Sequence, residues 1–182
     1  NGKGMSGTDA RMAFERHATS KIRKAEDLFC LHTMGFRGEA LPSIAAISQV
    51  EIKTKRAEDE VGTFISISAS KVEKQEFIAC PEGTTISVKN IFFNVPARRR
   101  FLSSNETERR NILTEIERIV LVNPTIEFIV YENDVETIHL PISGLKQRIV
   151  NLERKNLMQQ LIEIDEKTML GDIHGYVSRP EN

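Results

Sequence analysis

Apolar residues recur at two different spacings along this chain, and the spacing separates helical segments from extended ones. Apolar positions three or four residues apart predict helices over residues 8–17, 39–47, 106–122 and 145–152. Thr8 is the expected N-cap residue of the first helix, with Asp9 favourable in its first turn. The residues of this helix expected to face inward are Ala10, Ala13, Phe14 and His17.

Apolar and β-branched residues at alternating positions predict strands. Four such runs follow the second helix in close succession, which favours an antiparallel or mixed sheet. They are Gln49–Thr54, Thr63–Ala69, Lys71–Ala79 and Thr84–Phe92. An irregular, basic connection is expected over residues 94–102. Later strands are predicted at Glu127–Tyr131 and Val135–Leu140, which form a hairpin, and at Leu157–Ile164 and Thr168–Ser178.

The segment Pro141–Gly144 is the best candidate for a domain boundary. It predicts a first domain over residues 1–141 and the truncated start of a second domain over residues 142–182. The chain begins with Asn rather than Met and ends abruptly after a predicted strand. We therefore expect it to be a segment of a longer protein.

Charge and cysteine content exclude several classes of function. The chain of 182 residues carries 25 basic and 26 acidic residues, a net charge of −1, whereas a dedicated nucleic-acid-binding domain is strongly basic. Any contact with nucleic acid is therefore expected to be local. Cys30 and Cys80 have neither the spacing of a metal site nor that of a disulfide framework. No signal peptide and no apolar run of about 20 residues is present, so a membrane span is not predicted.

The segment Gly35–Leu41 carries the clearest candidate chemistry. Two glycines three residues apart, directly before a predicted helix, expose a row of backbone N–H groups. Such a row, together with the helix dipole, favours an anion. Spacing alone leaves two interpretations open, an anion-binding loop and a plain turn before a helix.

Three other segments carry weaker signals. Asn1–Gly7 has three glycines in seven residues, which indicates a loop, and Gly83-Thr84-Thr85 is typical of any β-turn. Arg98-Arg99-Arg100 is either a solvated basic turn or a contact for phosphate. The sequence contains neither a P-loop motif nor a Rossmann glycine motif, and its histidines show no metal-binding pattern.

Taken in order, these segments resemble the N-terminal ATPase region of the MutL mismatch-repair proteins. The resemblance runs through nearly the whole chain, and its second and third motifs are specific to MutL-like proteins. The glycine pattern alone indicates only the wider superfamily of gyrases, heat-shock chaperones, histidine kinases and MutL. The motifs are Asn1-Gly-Lys-Gly-Met, Arg16-His-Ala-Thr-Ser-Lys, Gly35-Phe-Arg-Gly-Glu-Ala-Leu, Gly83-Thr-Thr and Asn94-Val-Pro-Ala-Arg-Arg-Arg-Phe-Leu.

The resemblance implies an α/β (α+β) sandwich, in which helices cover one face of a mixed sheet and ATP lies between the helices and a lid. It places Gly2 and Gly4 in the loop under the adenosine, and Thr84 at the adenine. The lid segment beside the phosphates corresponds to Ala18, Thr19, Ser20 and Lys21. The phosphate-binding loop and helix start correspond to Gly35, Phe36, Arg37, Gly38, Glu39, Ala40 and Leu41.

The resemblance also implies a function, an ATP- and Mg²⁺-dependent switch of DNA mismatch repair in the bacterial cytoplasm, associated with the nucleoid. ATP closes the lid and joins two N-terminal regions into a clamp on DNA, where a MutS-type mismatch-recognition protein is the partner. DNA contact is expected to be non-specific and to involve Arg98, Arg99 and Arg100. A non-catalytic scaffold and a topoisomerase- or chaperone-type ATPase are the alternatives.

Several parts of the family's site have no counterpart in this sequence. The adenine-reading Asp would directly precede Asn1, and the general-base Glu and the magnesium-binding Asn would lie on a helix further upstream. A Lys that reaches the terminal phosphate would lie beyond Asn182. We therefore expect no catalytic residue and no protein metal ligand in this segment, and negligible ATP hydrolysis by the segment alone.

Overall fold

The computed structural model describes residues 2–31, 33, 35–153 and 160–178. The chain divides into two compact units, Asn1–Leu102 and Ser103–Asn182, which are described separately. The domain boundary predicted over Pro141–Gly144 stays a prediction.

The first unit is built on a four-stranded antiparallel sheet. Its strands are β1 (Gln49–Lys55), β2 (Gly62–Ser68), β3 (Lys71–Ile78) and β4 (Gly83–Lys89), in the order β3-β2-β1-β4. Ile52 in β1 lies opposite Ile65 in β2 and Ile86 in β4. The four runs of alternating residues are therefore confirmed as strands, and their pairing is antiparallel.

Two helices cover one face of this sheet. They are α1 (Gly7–Met12) and α2 (Ala40–Ile47), and a 3₁₀ helix, Ala25–Cys30, lies between them in the chain. Alternate side chains of β1 and β2 point to the helices, because successive residues of a strand face opposite sides. The buried cluster that results consists of Ala10, Ala45, Val50, Ile52, Ile65 and Ile67.

The second helix agrees closely with its prediction. Glu39 is its N-cap residue, and Pro42 lies in the first turn, where a missing N–H leaves no helical hydrogen bond broken. The first helix was predicted with the wrong limits. Its N-cap residue is Ser6 rather than Thr8, since the Ser6 hydroxyl accepts a hydrogen bond from the Asp9 backbone N–H at 3.1 Å.

The first helix also ends earlier than predicted, at Met12, and turns follow it up to His17. Ala10 is buried as predicted, but His17 is exposed and has a left-handed backbone with φ of 65°. The apolar spacing extends past Met12, and Phe14 still packs against the buried cluster, although the backbone there has left the helix.

Two further expectations for the first unit need correction. The fourth strand ends at Lys89 rather than Phe92, because Asn90 and Phe92 adopt positive φ values of 51° and 61°, which no strand accommodates. The basic connection contains a short helix, α3 (Pro96–Arg100), which begins with proline at its first position. Proline suits that position because its ring sets a helical φ.

The second unit contains two helices and two hairpins. They are α4 (Asn105–Leu121), β5 (Phe128–Glu132), β6 (Val135–Leu140), α5 (Leu145–Glu153), β7 (Leu161–Thr168) and β8 (Gly171–Ser178). Asn133 and Asp134 close the first hairpin with positive φ values of 50° and 64°, as a two-residue turn of this hand requires. The predicted helices and hairpin are confirmed, but residues 157–159 of the strand predicted at Leu157–Ile164 lie outside the described residues.

Candidate functional site

The first unit contains a groove made of two adjoining cavities. One has a volume of about 500 Å³ and the other a volume of about 460 Å³. Both are lined by Ala13, Ala18, Thr19 and Ser20. Because they share these residues, the two cavities adjoin, and together they are called the groove, which extends from Gly4 at one end to Leu41 at the other.

All seven residues of Gly35–Leu41 line the first cavity. The segment leads directly into α2, whose first backbone N–H groups have no carbonyl partner inside the helix. Arg37 adds a positive charge, and its guanidinium lies 5.6 Å from the centre of the Phe36 ring. The loop thus presents glycine backbone, a helix start and a cation to one cavity, which suits an anionic ligand.

Gly38 is required at its position by a close approach of two backbones. It has a φ of +64°, and a Cβ atom there would lie 2.2 Å from the carbonyl oxygen of Ala18. The loop that contains Ala18 therefore packs directly on the loop that contains Gly38. These two segments line the same cavity, so the glycine sets their spacing.

Gly4 plays the same part at the other end of the groove. Its φ is +72°, and a Cβ atom would lie 1.9 Å from the carbonyl oxygen of Lys55, the last residue of β1. The next residue, Met5, donates its backbone N–H to the Thr54 hydroxyl at 2.9 Å. The glycine-rich loop is therefore fixed to the end of β1.

Thr54 joins this loop to the neighbouring strand. Its hydroxyl donates to the carbonyl oxygen of Gly83 at 3.1 Å and lies 2.9 Å from the Thr84 hydroxyl. Since it has one hydrogen and also accepts from Met5, the consistent assignment has Thr84 donating to Thr54. Thr54 is only 1% exposed, so these contacts replace all its hydrogen bonds to water.

Sequence reasoning missed Thr54. A signal was present, because Thr54 continues the inward positions of Val50 and Ile52 with a polar side chain. A hydroxyl at a buried position of an apolar face requires partners, and here the partners belong to the two loops.

A side-chain contact also connects the two walls of the groove. The His17 Nδ1 atom lies 3.2 Å from Oε1 of Glu39, the N-cap residue of α2. The pair was not foreseen, because His17 was expected to face the core. Its position next to Ala18, and that of Glu39 next to Gly38, place a side-chain contact directly beside the backbone contact.

A tight turn follows β1 beside the Gly4 loop. The Arg56 Nη2 atom lies 2.7 Å from Oδ1 of Asp59. The side-chain hydrogen bond from Arg56 lowers the pKa of Asp59 below its usual value. At the start of the 3₁₀ helix, hydrogen bonds from the backbone N–H groups of Arg23 and Lys24 likewise lower the pKa of Asp27. Both carboxyl groups are therefore ionised acceptors at neutral pH.

The structure brings most of the predicted ligand-binding residues to the groove. Gly4, Ala18, Thr19, Ser20 and the whole of Gly35–Leu41 line it. Three predicted residues do not line either cavity, namely Gly2, Lys21 and Thr84. Thr84 is connected to the groove through Thr54 and Met5, and the backbone N–H of Lys21 is held by the Thr19 hydroxyl at 3.1 Å.

The predicted basic residues lie apart from the groove. Arg98, Arg99 and Arg100 are exposed residues of α3, and Arg99 lines a separate cavity of about 140 Å³. Among the described residues, no group of three histidine, cysteine, aspartate or glutamate side chains has the arrangement of a metal site. Within the same residues, no helix is long and apolar enough to cross a membrane.

Comparison with known sequences gives high identity over the whole chain. The sequence is 58% identical over 181 residues to a DNA mismatch repair protein MutL from Phocaeicola vulgatus, and 59% identical over 182 residues to one from Parabacteroides distasonis. Each match covers 100% of this chain. The chain spans only 29% and 30% of the length of these two relatives. No family model matches the sequence.

Solved structures agree with this result. A structure described as the Aquifex aeolicus MutL ATPase domain complexed with ADP matches 100% of this chain and 63% of its own, with a TM-score of 0.73 and 26% identity. The N-terminal domain of a DNA repair protein has the same fold, with a TM-score of 0.76 at 23% identity, 100% of this chain and 59% of its own. The fold is thus the predicted sheet covered on one face by helices. The chain belongs to the MutL family of DNA mismatch repair proteins and matches its N-terminal ATPase region.

Proposed function

We propose that the groove binds ATP, with the triphosphate at Gly35–Leu41 and the adenosine toward Gly4. The observation that carries this proposal is that all seven residues of Gly35–Leu41 line one cavity together with Ala18, Thr19 and Ser20. A triphosphate needs several N–H donors and positive charge, and this cavity combines a helix start, two glycines and Arg37. The ADP complex of the Aquifex aeolicus domain supports the proposal.

The two loops have different tasks in this proposal. Ala18, Thr19, Ser20 and Lys21 form the segment that closes over the phosphates and excludes water. Gly2 and Gly4 supply backbone beneath the adenosine. Thr84 donates its hydrogen to Thr54 and keeps its oxygen lone pairs for a water or an amino group at the adenine.

Mg²⁺ enters with the triphosphate in this proposal. Magnesium is usually held by one or two carboxylates or by substrate phosphates, and it keeps several waters. When bound, Mg²⁺ neutralises phosphate charge.

At the level of the whole protein, the proposal is an ATPase switch of DNA mismatch repair. ATP binding closes the lid segment and favours a dimer of N-terminal regions, because the ligand stabilises the state in which it makes more contacts. The dimer acts as a clamp on DNA and couples a MutS-type protein to later repair factors. We place this protein in the bacterial cytoplasm, at the nucleoid, in keeping with its bacterial relatives.

Nucleotide binding is tested by titrating the full-length protein with a non-hydrolysable ATP analogue. Gly38→Ala should weaken binding at least about tenfold, because its Cβ atom would push the Ala18 loop away from the phosphate loop. The matched control is Gly144→Ala, where an added Cβ meets no atom within 4 Å and φ is not in the left-handed range. Circular dichroism checks that both variants fold.

Arg37→Ala provides a second test that places no atom against the backbone. It removes the positive charge at the cavity, so the affinity for the triphosphate analogue should fall more than the affinity for ADP. Equal affinities of the wild-type protein, Gly38→Ala and Arg37→Ala would refute the site. Binding without hydrolysis in the full-length protein would favour the scaffold alternative.

The 182-residue segment by itself should hydrolyse ATP negligibly, since both carboxylates described at the groove have partners: Glu39 contacts His17, and Asp9 accepts a hydrogen bond from the Ser6 hydroxyl at 2.7 Å. Robust magnesium-dependent turnover by the purified segment would contradict this expectation.

The DNA contact is proposed at Arg98, Arg99 and Arg100. Replacing the three by alanine should weaken binding equally for all DNA sequences and reduce its salt dependence, because phosphate contacts release counterions. The matched control replaces Lys71, Lys74 and Arg118, which are also exposed. An unchanged salt slope in the arginine variant would refute the contact.

A further inference from the structure

We infer that His17 and Glu39 form a positioning pair that gives a carboxylate at the phosphate end of the groove a hydrogen-bond donor and holds the two walls of the groove together. This inference rests on the proposed nucleotide site. The two walls touch at neighbouring positions, with the Ala18 backbone against Gly38 and the His17 imidazole 3.2 Å from the Glu39 carboxylate. The two walls therefore meet through a backbone contact, Ala18 against Gly38, and through a side-chain contact, His17 against Glu39.

The first argument is electrostatic. Glu39 lines the same cavity as the helix start and Arg37, so a negative charge lies where a triphosphate is proposed to bind. Like charges within one cavity repel, and an anion site with a free carboxylate therefore binds phosphate weakly. A hydrogen bond from the His17 Nδ1–H reduces that penalty, because it gives the carboxylate, which can only accept, a donor on the side of the Ala18 loop.

The second argument is conformational. His17 is a non-glycine residue with φ of 65°, a conformation that costs free energy for an L-amino acid. Such a residue persists where other contacts fix it, and functional sites are common places for it. The turn around it is closed by a hydrogen bond from the Ala18 N–H to the Glu15 carbonyl at 3.4 Å, and the imidazole then contacts Glu39.

The third argument concerns the helix end. Glu39 is the N-cap residue of α2, but its side chain makes no cap hydrogen bond. Aspartate at this position usually accepts a hydrogen bond from the first turn, whereas the longer glutamate is not among the preferred N-cap residues. Here the carboxylate contacts His17 instead, so the first N–H groups of α2 stay available to a ligand.

A set of variants in the full-length protein tests the pair, with the affinities for ADP and for a non-hydrolysable ATP analogue as readouts. His17→Ala should lower the affinity for the ATP analogue about tenfold and that for ADP less, since the unpaired Glu39 charge repels the extra phosphate. Adding Glu39→Gln to His17→Ala should restore most of the lost affinity, because it removes the repelling charge.

The suppression separates this role from a purely structural one. If the pair only stabilised the fold, the double variant would bind as weakly as His17→Ala or more weakly, and that result would overturn the inference. The matched control is His139→Ala, which removes a histidine that pairs with Glu127 at 2.9 Å in the second unit and should leave both affinities unchanged.

Failure of the inference and failure of the nucleotide site give different results. If the wild-type protein binds neither nucleotide, the proposed function fails. If the wild-type protein binds both and His17→Ala binds both equally well, the site stands and the positioning pair is wrong. His17→Asn, which tolerates the left-handed backbone but lacks the imidazole, should resemble His17→Ala if the contact between the imidazole and the carboxylate is the cause.

Discussion

The two units of this chain are stabilised by different means. Residues 1–102 enclose an apolar cluster between one face of an antiparallel sheet and two helices. In residues 103–178, the described buried side chains are Val120, Leu140 and Arg148, and many apolar residues of α4 and its hairpin stay exposed. One unit depends on packing, whereas the other depends on a buried cation.

Arg148 shows how the second unit is connected. It is fully buried, and its Nη2 atom donates to the carbonyl oxygens of Pro124, Ile126 and Pro141 at 2.9, 2.7 and 3.1 Å. Its guanidinium also lies 5.5 Å from the centre of the Phe128 ring. Burial lowers the pKa of Arg148. One side chain thus ties α5 to the segments that precede β5 and follow β6.

The comparison explains why the groove belongs to the first unit. A binding site needs walls that keep their spacing, and close-packed elements resist changes of spacing. The groove walls attach to the buried cluster through α1, α2 and β1. The following predictions test this contrast, beginning with the largest expected effect.

The core of the first unit should be the most sensitive part. Ile52→Ala should lower the free energy of unfolding by about 4 kcal/mol, because a fully buried isoleucine leaves a cavity. Denaturant unfolding measures the loss. Ile86→Ala is the matched control, since Ile86 lies opposite Ile52 on β4 but is 43% exposed, and its effect should be less than half as large. Equal losses would contradict the contrast.

Arg148→Met should destabilise the second unit by about 3 kcal/mol, because three carbonyl oxygens lose a charged donor. Amide hydrogen exchange should increase in β5, β6 and α5 and stay unchanged in β1 and β2. Arg110→Met, at an exposed position of α4, is the matched control and should have little effect. If those amides exchange more slowly in Arg148→Met than in the wild type, the buried cation is not the source of the second unit's stability.

Thr54→Val should cost about 1–2 kcal/mol, since it keeps the shape but leaves the Met5 N–H and the Gly83 carbonyl without a partner. It should also weaken binding of an ATP analogue, because the Gly4 loop loses its attachment. Thr85→Val serves as the control, because Thr85 is exposed and follows Thr84 in β4. Unchanged stability in Thr54→Val would mean that water replaces the lost contacts.

The smallest effect concerns His139 in the second unit. A hydrogen bond with Glu127 raises the pKa of His139 above its usual value of 6.5, with a smaller contribution from the charge of Glu136. Because the pKa of His139 is higher in the folded state than in the unfolded state, the pair stabilises the folded state at pH values below the unfolded-state pKa. This stabilisation is lost as the pH rises through the folded-state pKa. Unfolding midpoints compared at about pH 6 and about pH 8 should differ more for the wild type than for His139→Gln. Equal differences would exclude the pair as their cause.

Much of the fold was predictable, since it depends on local pattern. The strands of the first sheet, the helix over 40–47, the helix from Asn105 and the first hairpin of the second unit agree with apolar spacing and turn residues. The limits of α1 were wrong because Ser6 provides a better cap than Thr8, and β4 was too long because Asn90 turns the backbone. One error lies where a side-chain cap outweighs periodicity, and the other where positive backbone dihedrals do.

The site was predictable in part. Gly35–Leu41 and the Ala18–Ser20 segment were identified from spacing and from family resemblance, and the structure places both at one groove. Thr54 and the pairing of His17 with Glu39 were missed, because their roles depend on residues far away in the chain. Periodicity describes neighbours in sequence and carries no information about such contacts.

By itself, the sequence determined the elements, the loops of glycine and the family, because hydrogen bonding within a helix or turn and the burial of one face are local requirements. Only the tertiary structure decided why Gly4 and Gly38 must be glycine, since each meets the backbone of a distant segment, Lys55 in one case and Ala18 in the other. Close approach of two backbones is a property of packing, and packing is settled only when the whole chain has folded.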